Sequence, residues 1–172
     1  MRTLILGGTR SGKSRFAEQC AVETGLAVTY IATAQAHDSE MAERIKHHRA
    51  QRPAHWQCIE EPLQLAAAMV ANAAPHHCLL VDCLTLWLTN LLLHPDPELL
   101  ARERAALLTV LSGLPGQIIL VGNETGMGIV PMGELSRRYC DEAGELQQEL
   151  ATQCDNVRLI IAGLPLTLKG TP

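Results

Sequence analysis

The chain has 172 residues and a mass of 18.7 kDa, and 47% of its residues are hydrophobic while 19% are charged. This length and composition predict one well-buried domain over residues 1–172 and exclude a disordered chain. A formal net charge of −4 and few aromatic residues (two Trp, two Tyr and one Phe) argue against a protein that binds nucleic acid through a broad basic surface or a stacking platform.

Short apolar segments alternate with segments of helical periodicity along the chain. The predicted strands cover residues 3–6, 27–32, 56–59, 78–81, 117–121 and 157–162. The predicted helices follow residue 12, cover residues 38–52 and 62–72, start near Leu84, and include residues 135–150. Most of these strands are continuously apolar, as strands covered on both faces are, so the alternation predicts an α/β, three-layer fold with a mostly parallel central sheet and helices on both faces.

The cysteines and the apolar segments indicate where in the cell the protein is located. The six cysteines form no C-x-x-C pair and lie in apolar segments, which favours reduced core thiols over a zinc or redox site. Residues 1–6 run into glycines too early for a signal peptide, and the longest apolar stretch, 79–93, contains Asp82 and Asn90 and is too short for a membrane span. We therefore expect a cytoplasmic protein with no membrane span.

A glycine-rich motif follows the first predicted strand and matches G-x-x-x-x-G-K-[ST] in full. Its residues are Gly7, Gly8, Thr9, Arg10, Ser11, Gly12, Lys13 and Ser14. In such a loop the backbone N–H groups point at phosphate oxygens, Lys13 would reach the β- and γ-phosphates, and the Ser14 hydroxyl would ligate Mg²⁺. The motif predicts a P-loop NTPase-type fold that binds a nucleoside triphosphate with magnesium.

An acidic residue at the end of a second buried strand would complete this site. Asp82 ends the apolar segment 78–82, and we expect it at the nucleotide, holding magnesium or a water bound to it. The alternative is an Asp that only caps the helix starting near Leu84, and the two roles are compatible.

The helix predicted over 38–52 carries an adjacent histidine pair. His47 and His48 lie about 100° apart around a helix, so they cannot serve the same role. The basic residues around them would attract phosphate and favour the neutral, nucleophilic form of an imidazole. Taken alone, however, this segment favours a solvated basic helix face.

Several segments together resemble one enzyme family. They are GGTRSGKS at 7–14, YIAT at 30–33, RIKHHR at 44–49 with RPAHW at 52–56, VDCLTLWLTN at 81–90 and NETGMGIVP at 123–131. The first is generic, whereas the His-His-Arg and Asn-Glu-Thr-Gly-Met-Gly segments are specific. Over nearly its whole length the sequence resembles the bifunctional adenosylcobinamide kinase / adenosylcobinamide-phosphate guanylyltransferase of cobalamin biosynthesis.

The resemblance implies two reactions on one scaffold. ATP or GTP phosphorylates the aminopropanol hydroxyl of adenosylcobinamide. A histidine then attacks the α-phosphorus of GTP, releases pyrophosphate and holds GMP as a phosphoramidate, which passes to adenosylcobinamide phosphate and gives adenosylcobinamide-GDP. By its position in the motif the nucleophile is His47, while Lys13 and magnesium would neutralise the charge on the phosphates.

The resemblance also implies nucleotide contacts outside the P-loop. These are Ala32, Thr33, Ala34, His48, Arg49, Ala50, Gln51 and Glu60. Glu60 competes with Glu61 for this role, and the pair could instead supply acidic residues before a helix N-terminus.

The glycine-containing loop over residues 122–131 fits a structural turn, a flexible lid or a close approach of its backbone to the substrate. If the loop is functional, Asn123 and Glu124 are the candidate corrinoid contacts. The family further implies a homo-oligomer, with a trimer as the form it suggests. The choice between ATP and GTP in the kinase step stays open.

Two other functions fit parts of the pattern. A plain P-loop kinase of another small molecule would transfer only a γ-phosphoryl group, with His47 uninvolved. A nucleotide-dependent switch would couple hydrolysis to a partner, but the sequence has no N-K-x-D guanine-reading signature.

Overall fold

The computed structural model describes residues 1–35, 43 and 53–171, and a seven-stranded sheet runs through this part of the chain. The strands are β1 (Arg2–Gly7), β2 (Ala27–Ala32), β3 (Gln57–Glu60), β4 (His77–Asp82), β5 (Gln117–Asn123), β6 (Asn156–Ile161) and β7 (Leu164–Lys169). The helices in the described ranges are α1 (Lys13–Glu23), α2 (Leu65–Asn72), α3 (Leu84–Leu92), α4 (Leu99–Leu111) and α5 (Glu134–Gln153).

The strands lie in the order β3-β2-β4-β5-β1-β6-β7. Every neighbouring pair is parallel except β6 and β7, which are antiparallel. The prediction of a mostly parallel sheet is therefore confirmed. Strand β7 was not predicted, because it contains Pro165, and a proline is tolerated only at an edge such as this one.

Two apolar clusters cover the faces of the sheet, because successive strand residues point to opposite sides. Leu4 and Leu6 face the cluster formed with α2, α3, α4 and α5. Ile5 and Tyr30 face the cluster that contains the inner side of α1. Helices on both faces, as predicted, give the fold three layers.

The predicted strand bounds agree with the structure to within two residues, and the helices differ more. Helix α2 begins at Leu65, three residues after the expected start at Pro62. Helix α4 was not predicted, although Leu107 and Leu111 of its buried side are four residues apart. The helix predicted over 38–52 lies outside the described residues, apart from Glu43, which is helical and exposed.

The topology brings four strand ends to one edge. Strand β5 lies between β1, which runs into the P-loop, and β4, which ends at Asp82. Strand β2 ends at Ala32 on the far side of β4. Ligands of open α/β sheets bind outside such carboxyl ends. None of the helices in the described ranges is long and apolar enough to cross a membrane.

Candidate functional site

The P-loop turns tightly where β1 ends. The Gly8 carbonyl accepts a hydrogen bond from the Ser11 N–H at 3.2 Å. Gly12 has a φ of 94°, which disfavours any side chain. A Cβ on Gly7 would lie 2.7 Å from the Ile160 carbonyl oxygen, so this position also requires glycine. Two glycines of the motif therefore set the path of the loop.

The hairpin between β6 and β7 supports this loop from one side. Ala162 and Gly163 have φ values of 53° and 80°, as in the two-residue turns that match strand twist. The Gly163 N–H donates to the Ser11 carbonyl at 2.8 Å. The Ser11 hydroxyl is buried and has no hydrogen-bond partner among the described residues. A buried, unsatisfied polar atom inside the phosphate-binding motif is consistent with a site that a polar ligand completes.

Lys13 is the first residue of α1, and its side chain is buried with 9% exposure. Its Nζ donates to the Gly8 carbonyl at 3.3 Å, which folds the side chain back over the loop. Burial lowers the pKa of Lys13 below its ordinary value, and the nearby Cys83 and Asp82 oppose this shift. The ammonium therefore lies in a poorly solvated position, where an anionic phosphate would replace the lost solvation.

Asp82 is half-buried at the end of β4, on the same side of the sheet as α1. The Tyr30 hydroxyl donates to its Oδ2 at 2.9 Å. The N-cap residue of α3 is Cys83, and its thiol has a pKa raised by burial to about 11. The Asp82 carboxylate is therefore held by a tyrosine, and the N-cap position of α3 belongs to Cys83 and not to Asp82.

Thr33 joins the ends of β2 and β4. Its hydroxyl donates to the Cys83 carbonyl at 2.6 Å and accepts from the Cys83 N–H at 3.0 Å. Its own carbonyl accepts from Asn90 Nδ2 at 2.8 Å, and the same amide group donates to the Pro62 carbonyl at 3.1 Å. The fully buried Thr33 hydroxyl is thus occupied by its hydrogen bonds to the Cys83 backbone. A nucleotide would meet its backbone or its neighbours.

The donor atoms near the loop suit magnesium. Ser14 contributes a hydroxyl and Asp82 a carboxylate, both hard oxygen donors. Mg²⁺ is usually held by one or two protein oxygens together with substrate phosphates and water. Within the described ranges there is no group of three or more His, Cys, Asp or Glu side chains that could hold a metal ion. The residues present therefore fit magnesium brought in with a nucleotide.

The adjacent residues Glu60 and Glu61 have different surroundings in the structure. Glu61 Oε1 accepts from the N–H groups of Leu63 and Gln64 at 2.9 and 2.8 Å, so this side chain satisfies amides just before α2. Glu60 is exposed at the end of β3, and it pairs in register with Ala32, which in turn pairs with Asp82. The helix-start interpretation therefore applies to Glu61, and Glu60 lies at the edge where the nucleotide is expected.

The loop after β5 flanks the P-loop on its other side. The Asn123 N–H donates to Thr85 Oγ1 at 2.7 Å, and its carbonyl accepts from Gln147 Nε2 at 2.8 Å. The Glu124 N–H donates to the Gly7 carbonyl at 3.1 Å. These backbone anchors place Asn123 and Glu124 beside the phosphate-binding motif.

Beyond these anchors the loop exposes large apolar side chains. They are Met127 at 75% exposure, Ile129 at 98%, Val130 at 72% and Met132 at 96%. We call these four side chains the apolar loop cluster. The cluster indicates a surface for a large, partly apolar ligand or partner.

The predicted nucleophile segment lies outside the described residues. This applies to His47, His48, Arg49, Ala50 and Gln51. The structure does describe both ends of the connection, since β2 leads into it and β3 follows it. Strand β2 ends at Ala32, which is in register with Asp82, whereas β3 starts at Gln57, which is in register with Thr29, closer to the opposite edge of the sheet.

Sequence reasoning did not assign a role to Tyr30 or Asn90. Both are polar groups in apolar segments, and both are nearly buried, at 2% and 8% exposure. Buried polar groups almost always have partners, so each indicated a long-range hydrogen bond without identifying its acceptor.

The solved structures with a similar fold include the RadB recombinase, with a TM-score of 0.53, 16% identity, and 92% of this chain and 73% of that chain covered. They also include the Pyrococcus horikoshii OT3 protein PH0250, with a TM-score of 0.53, 9% identity, and 99% of this chain and 87% of that chain covered. At these identities the likeness concerns the fold alone. Together with the motif it confirms the P-loop NTPase-type fold.

Sequence relatives are much closer. The bifunctional adenosylcobalamin biosynthesis protein CobP of Pseudomonas aeruginosa is 65% identical over 172 residues, covering 100% of this chain and 99% of that protein. The bifunctional adenosylcobalamin biosynthesis proteins CobU of Salmonella typhimurium and Escherichia coli are 41% and 39% identical, and in both comparisons 98% of this chain and 100% of the relative are covered. The family model for cobinamide kinase / cobinamide phosphate guanyltransferase matches residues 3–168. The chain therefore belongs to this family of bifunctional enzymes of adenosylcobalamin biosynthesis, which combine a cobinamide kinase with a cobinamide phosphate guanylyltransferase.

Proposed function

We propose that the P-loop site serves both reactions of this family and that His47 carries GMP between them. The observation that supports the site most strongly is the buried Lys13 at the start of α1, close to Asp82. A cation placed there, with the amides of residues 8–13 around it, suits the triphosphate that both reactions consume.

In the kinase reaction, ATP or GTP phosphorylates the aminopropanol hydroxyl of adenosylcobinamide. Lys13 would offset the negative charge that spreads over the transferred phosphoryl oxygens, and the loop amides would hold the phosphates in line with the acceptor. Magnesium, held by Ser14 and Asp82, would neutralise the phosphates. Because Lys13 is already buried at the loop, its ammonium would only exchange the Gly8 carbonyl for a phosphate oxygen when the nucleotide binds.

In the guanylyl transfer, a His47 imidazole nitrogen attacks the α-phosphorus of GTP. A P–N bond forms, the bond from the α-phosphorus to the oxygen that it shares with the β-phosphorus breaks, and pyrophosphate leaves. The proton on the other imidazole nitrogen passes to water and is regained when the histidine is displaced. A phosphate oxygen of adenosylcobinamide phosphate then displaces the histidine and gives adenosylcobinamide-GDP. Two easier displacements replace one difficult step. The family motif supports His47 in this role, with His48, Arg49, Ala50 and Gln51 as nucleotide contacts.

Further nucleotide contacts would come from the edge formed by β2 and β3. Ala32 and Ala34 flank the buried Thr33, and Glu60 lies next to Ala32 in the sheet. Small alanine side chains leave room for a base or ribose, and an exposed carboxylate can accept hydrogen bonds from either. We therefore propose that this edge holds the nucleoside while the P-loop holds its phosphates.

The acceptor would dock on the loop after β5. Asn123 and Glu124 are anchored beside the P-loop, and the apolar loop cluster follows them directly. A corrinoid is a broad macrocycle whose faces are partly apolar, and its aminopropanol arm must still reach the triphosphate. A polar anchor next to an exposed apolar surface meets both needs.

We further propose that residues 1–172 act as one domain, in a cytoplasmic homo-oligomer with a trimer as the expected form. All seven strands belong to one sheet, which supports a single domain. The exposed apolar side chains support association with another surface. Light scattering after size-exclusion chromatography would measure the oligomer directly.

The experiment that tests the shared site compares two variants in two assays. The kinase assay follows transfer of a γ-labelled phosphoryl group to adenosylcobinamide, and the second assay follows α-labelled GMP transfer to adenosylcobinamide phosphate. Lys13→Met should lower both rates by at least about a hundredfold, and His47→Ala should abolish only GMP transfer. If Lys13→Met lowered one rate only, the proposal of a shared site would be wrong.

A second pair of variants tests the acceptor surface. Ile129→Ser with Met132→Ser should raise the KM for adenosylcobinamide several-fold and leave the affinity for GTP unchanged. Leu168→Ser, at an exposed apolar position of β7, is the matched control and should change neither. An unchanged KM in the loop variant would exclude this surface as the corrinoid site.

A further inference from the structure

Tyr30 reaches the Asp82 carboxylate across two neighbouring strands. In the parallel pairing of β2 with β4, Tyr30 is opposite Leu80 and Ala32 is opposite Asp82, so the phenol spans two residues diagonally. Long aromatic side chains can make this diagonal contact. The ring is packed in the cluster on the α1 side, and its hydroxyl ends 2.9 Å from Oδ2.

This single hydrogen bond constrains the carboxylate. The terminal torsion of an aspartate is broad, so an exposed carboxylate rotates over a wide range. The phenol cannot follow such a rotation, because Tyr30 is only 2% exposed and is fixed by packing. Holding Oδ2 fixes the plane of the group and leaves Oδ1 as the oxygen without this restraint.

The surroundings show why orientation matters at this position. Lys13 is close enough for the Asp82 charge to affect its pKa. A freely rotating Asp82 carboxylate could pair with that ammonium, and both groups would then be less available to a nucleotide. The hydrogen bond from the Tyr30 phenol to Oδ2 opposes the rotation that this ion pair would require.

We propose that Tyr30 is a positioning residue, which orients Asp82 toward the magnesium ion of the bound nucleotide. The inference rests on the proposed role of Asp82 as a magnesium-holding residue. Tyr30 itself touches no reacting atom in this account; it acts only through the carboxylate.

The test measures binding rather than turnover. The affinity for a non-hydrolysable GTP analogue is titrated with Mg²⁺ and with EDTA, and the ratio of the two affinities gives the contribution of the metal. Mn²⁺ binding, followed by electron paramagnetic resonance, is a second readout. Tyr30→Phe should reduce the Mg²⁺-dependent gain about tenfold, as expected for one hydrogen bond to a charged group, and leave the affinity in EDTA within about twofold.

Two further variants make the outcome specific. Thr29→Val removes the neighbouring buried hydroxyl of β2, which contacts Gln57 and His77, the first residues of β3 and β4, and should leave the Mg²⁺-dependent gain unchanged. Asp82→Asn should remove most of the gain, and adding Tyr30→Phe to it should have little further effect.

The three variants distinguish the role of Asp82 from that of Tyr30. If Asp82→Asn lowers the gain and Tyr30→Phe does not, Asp82 holds the metal and the Tyr30 inference is wrong. If Asp82→Asn leaves the gain unchanged, the proposed role of Asp82 is wrong and the inference falls with it. A loss in Tyr30→Phe that persists undiminished in the Asp82→Asn background would also overturn it.

Discussion

Removing the Thr33 hydroxyl should destabilise the protein through the end of β4. Valine keeps the branched shape of threonine but cannot hydrogen-bond, so Thr33→Val leaves both the N–H and the carbonyl of Cys83 without this partner. The side chain is fully buried, and the two distances, 3.0 and 2.6 Å, are those of well-formed hydrogen bonds. The Cys83 carbonyl retains its hydrogen bond from the Trp87 N–H, whereas the Cys83 N–H loses its acceptor. Two lost bonds, together with one buried N–H left unsatisfied, predict a loss of about 3 kcal/mol in the free energy of unfolding.

Urea-induced unfolding followed by circular dichroism measures this loss, and Tm should fall by roughly 6–12 °C for a chain of this size. Thr29→Val is the control, because Thr29 is also fully buried in β2 but bonds to the side chains of Gln57 and His77, which are accessible enough to use water instead. The control should lose about 1 kcal/mol or less. If Thr33→Val lost no more stability than Thr29→Val, the two Thr33–Cys83 hydrogen bonds would not stabilise the end of β4.

Three further predictions concern the loop, a buried thiol and a helix contact. Gly7→Ala should weaken binding of a non-hydrolysable GTP analogue at least about tenfold, because its Cβ would lie 2.7 Å from the Ile160 carbonyl oxygen; unchanged affinity in a calorimetric titration would contradict this. Burial raises the pKa of Cys78 from 9.0 to about 11, so between these pH values the folded chain retains a proton that the unfolded chain loses. The free energy of unfolding in urea should therefore fall as the pH rises through this range, and it should fall less steeply in Cys78→Ala. The same slope of stability against pH in both proteins would contradict this. Arg104→Met should lower Tm by roughly 2–4 °C, because Arg104 forms ion pairs with three glutamates of α5. Arg102→Met is the control and should change Tm little, because the ion pair between Arg102 and Asp96 is exposed. Equal decreases of Tm in the two variants, measured by calorimetry, would contradict the prediction.

The parts of the fold with a strong local signal were predictable from sequence. Short apolar segments predicted six of the seven strands, and most of these are continuously apolar, as parallel strands buried on both faces are. The P-loop was predictable for the same reason, since its glycines and Lys13 are contiguous. Strand β7 was not, because Pro165 opposes a strand assignment that only its edge position permits.

The contacts that position the site were not predictable, because they join residues far apart in sequence. Thr33 binds Cys83, fifty positions away, and Tyr30 binds Asp82 across a separation of 52. A local sequence pattern does not specify which residues of two distant strands lie opposite each other. The difference between Glu60 and Glu61 also required the fold, since it depends on which of the two faces the start of α2.

Covalent labelling of the protein with GTP tests the guanylyl-histidine intermediate directly. The purified protein is incubated with magnesium and GTP labelled at the α-phosphate, denatured, and examined for label on the chain, with γ-labelled GTP as the control. The account predicts acid-labile, alkali-stable α-label that His47→Ala removes and His48→Ala retains, with no label from the γ-position. Absence of covalent α-label in a protein that still binds GTP would contradict the guanylyl-histidine mechanism, and loss of label only in His48→Ala would move the nucleophile to the neighbouring residue.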